Sequence, residues 1–140
     1  MEAQESELLE TLREAEERHT PGSATLAAAL SNLGGFYSAT GRPEKALGYL
    51  ERAAQEATGL GEDFAGSAAI YNNLGTAYFQ LSRSKEALYL LEKAVAIARR
   101  TLGPDNPDTL RMAKTLEGCR LAARSNRRGC LLSFLLPWHK

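Results

Sequence analysis

Asn32-Leu33-Gly34-Gly35-Phe36-Tyr37 returns 41 residues later as Asn73-Leu74-Gly75-Thr76-Ala77-Tyr78. The echo resumes after a short break. Glu44-Lys45-Ala46-Leu47 is answered by Lys85-Glu86-Ala87-Leu88, and Leu50-Glu51-Arg52-Ala53 by Leu91-Glu92-Lys93-Ala94. Self-similarity at this period marks a stack of supersecondary units, each burying its apolar face against the next. Such stacks offer extended surfaces, so the repeat points toward binding before any single residue does.

Each unit reads as two helices. Leu26, Ala29, Leu30, Leu33, Phe36 and Tyr37 recur at spacings of three and four, which puts them on one helical face. Gly41 suits a helix stop, because glycine accepts the left-handed backbone found there. Pro43 suits the first turn of a following helix, where its missing N–H is no loss. Ala46, Leu47, Leu50, Ala53, Ala54 and Ala57 carry that second helix. The next unit repeats the pattern with Ala69, Ile70, Leu74, Ala77, Tyr78 and Leu81, then Ala87, Leu88, Leu91, Ala94, Val95 and Ala98. Gly34, Ala46 and Ala53, with Gly75, Ala87 and Ala94, let paired helices approach closely. The expected fold is all-α: an antiparallel helix-pair solenoid of about six helices plus a short apolar C-terminal helix.

Composition narrows the function. A formal net charge of zero argues against a bulk electrostatic grip on nucleic acid. The charge is unevenly placed: residues 1–20 hold seven Glu against Arg13 and Arg18, while residues 111–140 hold five Arg and two Lys against Glu117. Opposite ends of opposite sign favour head-to-tail contact, so self-association is open. Cys119 and Cys130 make neither a zinc spacing nor a disulfide framework, the pattern of a reducing compartment. The acidic start Met1-Glu2-Ala3-Gln4-Glu5 is unlike a secretory signal, and no run reaches the roughly 20 apolar residues of a spanning helix. A cytoplasmic protein is expected. His19 and His139 have no nucleophile placed beside them, and no Gly-rich phosphate loop occurs, so neither enzyme activity nor a cofactor is expected.

The helix pairs resemble the tetratricopeptide repeat family, on the strength of Leu33-Gly34 and Leu74-Gly75, a tyrosine three residues on, and the alanines of the second helix. The linker Leu102-Gly103-Pro104-Asp105-Asn106-Pro107-Asp108-Thr109 is similar to that of the 42-residue variety in kinesin light chains and nephrocystin-3-like proteins. From Leu74 the next leucine in register is Leu116, 42 residues on. The resemblance implies one domain over residues 1–125, with an N-terminal half-repeat at 5–19, repeats at 23–60 and 64–102, and a C-terminal half-repeat at 106–125. Leu8, Leu9, Leu12 and Ala15 carry the first half, closed by Thr20-Pro21-Gly22-Ser23, and Leu110, Ala113, Leu116 and Cys119 the last. There Glu117 and Arg120 stand where the repeats have glycine and tyrosine, as a water-facing end element would.

The resemblance also implies a function: a non-catalytic adaptor that holds a peptide segment or partner helix on the concave side, lined by the first helix of each pair. The candidate peptide-binding residues are Asn32, Asn72, Asn73, Thr76, Gln80, Arg111 and Lys114. Asparagine amides suit the backbone of an extended peptide. Alternatively, an asparagine here bonds the neighbouring helix. Arg111 and Lys114 favour carboxylates. Of the five-residue clamp by which some of these domains hold a C-terminal carboxylate, only Asn73 and Arg111 match; Ser31, Gly35 and Thr115 replace the rest.

Residues 126–140 form a basic-then-apolar tail: Arg127 and Arg128, then Leu131, Leu132, Phe134, Leu135, Leu136 and Trp138. Fully buried, these side chains would contribute on the order of 10 kcal/mol as an upper bound, so something must cover them. Three covers are open. A short helix from about Gly129 to Leu136 folds back as a cap. A partner covers it, either a second copy or a target protein. Or a membrane surface does, with Cys130 acylated as a second anchor.

Overall fold

The computed structural model describes residues 1–18, 23–61, 64 and 66–135, with side chains described as far as Asn126. The turn expected at Thr20-Pro21-Gly22 and the tail residues Leu136 and Trp138 lie outside the described residues. Six helices follow one another: α1 (Glu2–Glu17), α2 (Ala24–Ala39), α3 (Pro43–Leu60), α4 (Gly66–Gln80), α5 (Ser84–Thr101) and α6 (Pro107–Leu135). No strand occurs among the described residues.

Local chemistry sets the boundaries. The Ser23 hydroxyl accepts the Leu26 N–H at 3.3 Å and caps α2. Between α2 and α3 the chain turns through Gly41 at φ +76°, and Pro43 opens α3. The equivalent turn between α4 and α5 passes through Ser82 at φ +61°, a left-handed conformation held by a residue with a Cβ.

Packing follows the pairs. Gly34 lies against Leu50 so closely that a Cβ there would fall 2.4 Å from the leucine Cγ; at Gly75 the distance to Leu91 would be 2.8 Å. Leu50 and Leu91 are both fully buried, each contributing about 2 kcal/mol. The repeated Leu-Gly is thus a leucine slot. The helix α2 is buried on more than one side, because it lies among α1, α3 and α4. Its buried set therefore includes Ala27, Ser31 and Ser38, beyond the single face that periodicity marks.

Two apolar clusters result. The first joins α1–α4 around Leu30, Leu33, Tyr37, Leu50 and Leu74; the second joins α4, α5 and α6 through Ala68, Leu91, Val95, Ile97, Met112, Leu116 and Cys119. Tyr37 fastens α1 to the first pair. Its hydroxyl donates to Glu5 Oε1 at 2.8 Å, its ring stacks on Tyr49, and the Arg42 guanidinium sits 4.7 Å from the ring centre. Burial, then the bond to Glu5, pushes the Tyr37 hydroxyl up to about 12. The same bond, reinforced by Arg42 and Lys45, holds the Glu5 carboxyl below its ordinary value. Tyr78 repeats the device with Glu51 at 3.2 Å and Arg83 over its ring.

The C-terminal end departs from expectation. No break occurs near Gly129: α6 continues without interruption through Leu135. The expected short separate helix is the last part of α6. A lone glycine costs only about 1 kcal/mol in a helix interior, too little to end it without a competing turn.

Candidate functional site on the inner side of the helix row

The first helices of the pairs, α2 and α4, touch along their length, whereas the second helices α3 and α5 form no comparable contact. The row therefore bends with α2 and α4 on its shorter, inner side. That inner side is where sequence placed the candidate residues.

Polar side chains join α2 to α4. Asn73 Nδ2 donates to Ser31 Oγ at 3.2 Å and to the Ser31 carbonyl at 3.4 Å. Two turns along, Gln80 Nε2 donates to the Ser38 carbonyl at 3.0 Å, and Ser38 Oγ donates to Gln80 Oε1 at 2.8 Å. Gly35 makes room for this, since a Cβ on it would lie 3.1 Å from Asn73 Nδ2. Asn73 and Gln80 thus hold two helices together, and the helix-bonding alternative for asparagine describes Asn73. Ser38 was missed by sequence reasoning. Its signal was the spacing: Ser31 and Ser38 are seven apart, as are Asn73 and Gln80, so each pair falls on one helical face.

The other candidates sit differently. Asn32 is exposed, and its amide makes no hydrogen bond among the described residues. The small residues Ala28, Ala39 and Ala69 are exposed too. The Thr76 hydroxyl donates to the Asn72 carbonyl within its own helix, at 2.9 Å. Asn72 is only 5% exposed, and among the described residues its side-chain Oδ1 accepts no hydrogen bond. Leaving such an acceptor unmet costs about 1–3 kcal/mol.

Arg111 and Lys114 lie exposed on α6. Arg111 is 3.5 Å from Asp108, both side chains more than half exposed, a pair worth little in water. Fastening of α6 is to α5: Thr109 Oγ1 donates to the Ala98 carbonyl at 3.3 Å, and Arg120 donates to Glu92 at 3.0 Å. With α4 it forms no seam like that between α2 and α4. Cys130 falls in the last stretch of α6, where side chains are not described. Among the described residues no helix is long and apolar enough to cross a membrane.

A cleft lies elsewhere. It holds about 500 Å³ between α3, α4 and α5 and is lined by Ala57, Ser67, Tyr71, Lys93, Ile97 and Arg100. There Ser67 and Tyr71 occupy the places of Leu26 and Leu30, which are buried one repeat earlier.

The geometry of repeated helix pairs, each closed by a Gly–Leu slot, has a counterpart among known families. The family model described as tetratricopeptide repeat matches residues 25–100 and again 66–126. The chain belongs to the tetratricopeptide repeat family. No curated protein matches it. Tetratricopeptide repeats are non-catalytic scaffolds for protein–protein interaction, and this chain is such a scaffold in broad class.

Proposed function

We propose that this tetratricopeptide domain is an adaptor that holds a peptide segment of acidic character on its inner face. What supports this reading is the exposed amide of Asn32, on a helix that also exposes the small residues Ala28 and Ala39, together with the exposed cations Arg111 and Lys114 on α6. Small side chains let an extended backbone approach, an amide supplies a donor and an acceptor to it, and the cations select carboxylates. In this reading the units run over residues 5–19, 23–60, 64–102 and 106–125, the repeats are of the 42-residue kinesin-light-chain-like variety, and the protein works in the cytoplasm.

The test begins with selection of random 12-residue peptides displayed on phage against the full chain. Selected peptides should be rich in Asp and Glu. They should bind at least tenfold more weakly to a variant carrying Asn32→Ala, Arg111→Glu and Lys114→Glu whose helicity is unchanged. Peptides that bind this variant as well as the parent remove the inner face from consideration.

A second reading is favoured by the length of α6. At 29 residues it is longer than the 18-residue α5 beside it, by about 16 Å of helix. Its last turns include Leu131, Leu132, Phe134 and Leu135. Under this reading it mediates self-association or membrane attachment, with Cys130 as an acylation site. A chain lacking residues 126–140 that keeps its melting temperature but no longer oligomerises or pellets with vesicles supports it; a large fall in melting temperature makes the segment a structural cap instead.

A further inference from the structure

Three junctions between successive units are built alike. Tyr37 on α2 donates to Glu5 on α1, and Tyr78 on α4 donates to Glu51 on α3. Arg120, at the tyrosine's place on α6, donates to Glu92 on α5. By this arrangement α1 is the second helix of a pair and α6 the first helix of one. Within the complete pairs, α2 with α3 and α4 with α5, contact is more extensive than across any junction. Neither α1 nor α6 has that larger contact among the described residues.

The two bare faces complement each other. On α4, Ala68 and Phe79 pack into the cluster built around α5. Their counterparts 42 residues on, Leu110 and Leu121, are each 56% exposed. Lys114, Glu117 and Arg124 complete that exposed stripe of α6, at spacings of three and four. On α1, beside the buried Leu12 and Ala15, the exposed stripe is Gln4, Glu7, Thr11 and Glu14. One face is apolar and mainly basic, the other polar and acidic.

We infer that α6 of one copy and α1 of a second copy dock antiparallel as a helix pair, joining copies head to tail. Within the complete pairs Gly34 meets Leu50 and Gly75 meets Leu91. Glu117 stands 42 residues after Gly75, and Leu8 stands 42 residues before Leu50. The same register therefore sets Glu117 opposite Leu8, Leu121 opposite Gln4, and Lys114 opposite Thr11. Glu7 and Glu14 lie about one helical turn to either side of Thr11, so Lys114 falls between two carboxylates. Because Glu117 replaces the slot glycine, this joint is wider than a pair within the chain, and it is reversible. The two docking faces lie at opposite ends of the row, so each joined copy leaves one end open and the row lengthens. Its first helices α2, α4 and α6 then continue into α2 of the next copy, which extends the inner face. The joint uses the exposed stripe of α6 up to Arg124, apart from the last turns of that helix.

Sedimentation velocity of the full chain tests the joint. Its weight-average mass should climb with concentration, and added salt should lower it, because opposite charges help to hold the copies together. Lys114→Glu in one variant, and Glu7→Lys with Glu14→Lys in another, each set like charges against each other at the joint. Either variant by itself should associate at least about tenfold more weakly than the parent. Mixed in equal amounts, the two should associate as the parent does, since every contact between unlike copies again pairs opposite charges. Melting temperatures should match the parent's, the three positions being exposed. A parent that stays monomeric, or a mixture that stays monomeric, overturns the joint. So do separate variants that associate as strongly as the parent, the result expected if the last turns of α6 carry self-association.

Discussion

Two steps along the same row of helices are built differently. Between α2 and α4 the helices lie side by side, joined by Asn73 to Ser31 and Gln80 to Ser38, with Gly35 bare to admit the amide. Between α4 and α6 the same register offers Asn72 and Thr115, which do not bond, and Thr76 at the place of the bare Gly35. Sequence similarity across both steps is high enough for one family model to cover them. Similar spacing of leucines thus fixes how a helix pair forms but not how tightly successive pairs join. The joining is set by a few polar side chains, and these differ.

The largest expected effect separates the leucine slot of the complete pairs from the same register on α6. Gly34→Ala would put a Cβ into the Leu50 side chain and should cost about 3 kcal/mol in urea unfolding, the upper end for overpacking a core. Glu117, exposed at the equivalent place, should tolerate Glu117→Ala within about 0.5 kcal/mol. Equal costs would show that α6 does not share the register of α2 and α4.

A smaller contrast separates the two boundaries directly. Asn73→Ala and Gln80→Ala each remove cross-helix hydrogen bonds and should each cost about 1 kcal/mol. Thr115→Ala removes only a bond within its own helix and should cost little. Native-state hydrogen exchange gives an independent check: amides of α6 should open before those of α4, since α6 has fewer neighbours. Simultaneous opening of both helices would mean the row is uniformly joined.

At the other end, α1 is clamped to the first pair through Tyr37. Tyr37→Phe should cost about 1 kcal/mol by releasing Glu5. The clamp also sets two pH limits. Because the folded Glu5 value is lowered, its contribution is present above the ordinary carboxyl value of 4.5 and is lost as pH falls through the folded value. Because the folded Tyr37 value is raised, its contribution is complete below the ordinary 10.0 and is lost as pH climbs toward about 12. A Glu5→Gln chain should show a flatter stability profile in the acid window. An unchanged acid slope would remove Glu5 from the clamp.

How much of this was legible follows from what periodicity records. The pairs, the Gly34 and Gly75 slots and the turn at Gly41 follow from apolar spacing and from what glycine and proline do to a backbone. The polar join between α2 and α4 depends on which helices touch, and apolar spacing carries nothing about that. It left Ser38 unnoticed and made Asn73 look like ligand chemistry. Asn72 read as a surface residue for the same reason: a polar side chain on a helix flanked on several sides has no assigned outside. The continuity of α6 was missed because Gly129 and a change in composition read as a boundary, although neither breaks a helix when no turn competes.

The smallest effect tests the turns that precede α3 and α5. Both require a left-handed residue, supplied by Gly41 in one repeat and by Ser82 in the other. An L-residue in this conformation carries a penalty of roughly 1–2 kcal/mol that glycine avoids, while glycine gives the unfolded chain more freedom to lose. The two effects oppose each other, and the steric term is the larger. Ser82→Gly should therefore stabilise the chain by about 0.5 kcal/mol, and Gly41→Ser should destabilise it by a similar amount. Ser82 is exposed and its side chain makes no hydrogen bond among the described residues, so no lost contact confuses the comparison. Urea midpoints of the two single variants and the double exchange, measured together, decide it. If the double exchange returns to the parent value, the two turns are equivalent and the repeats differ only in which residue bears the strain; if it does not, the turn before α5 is held by something beyond its backbone angle.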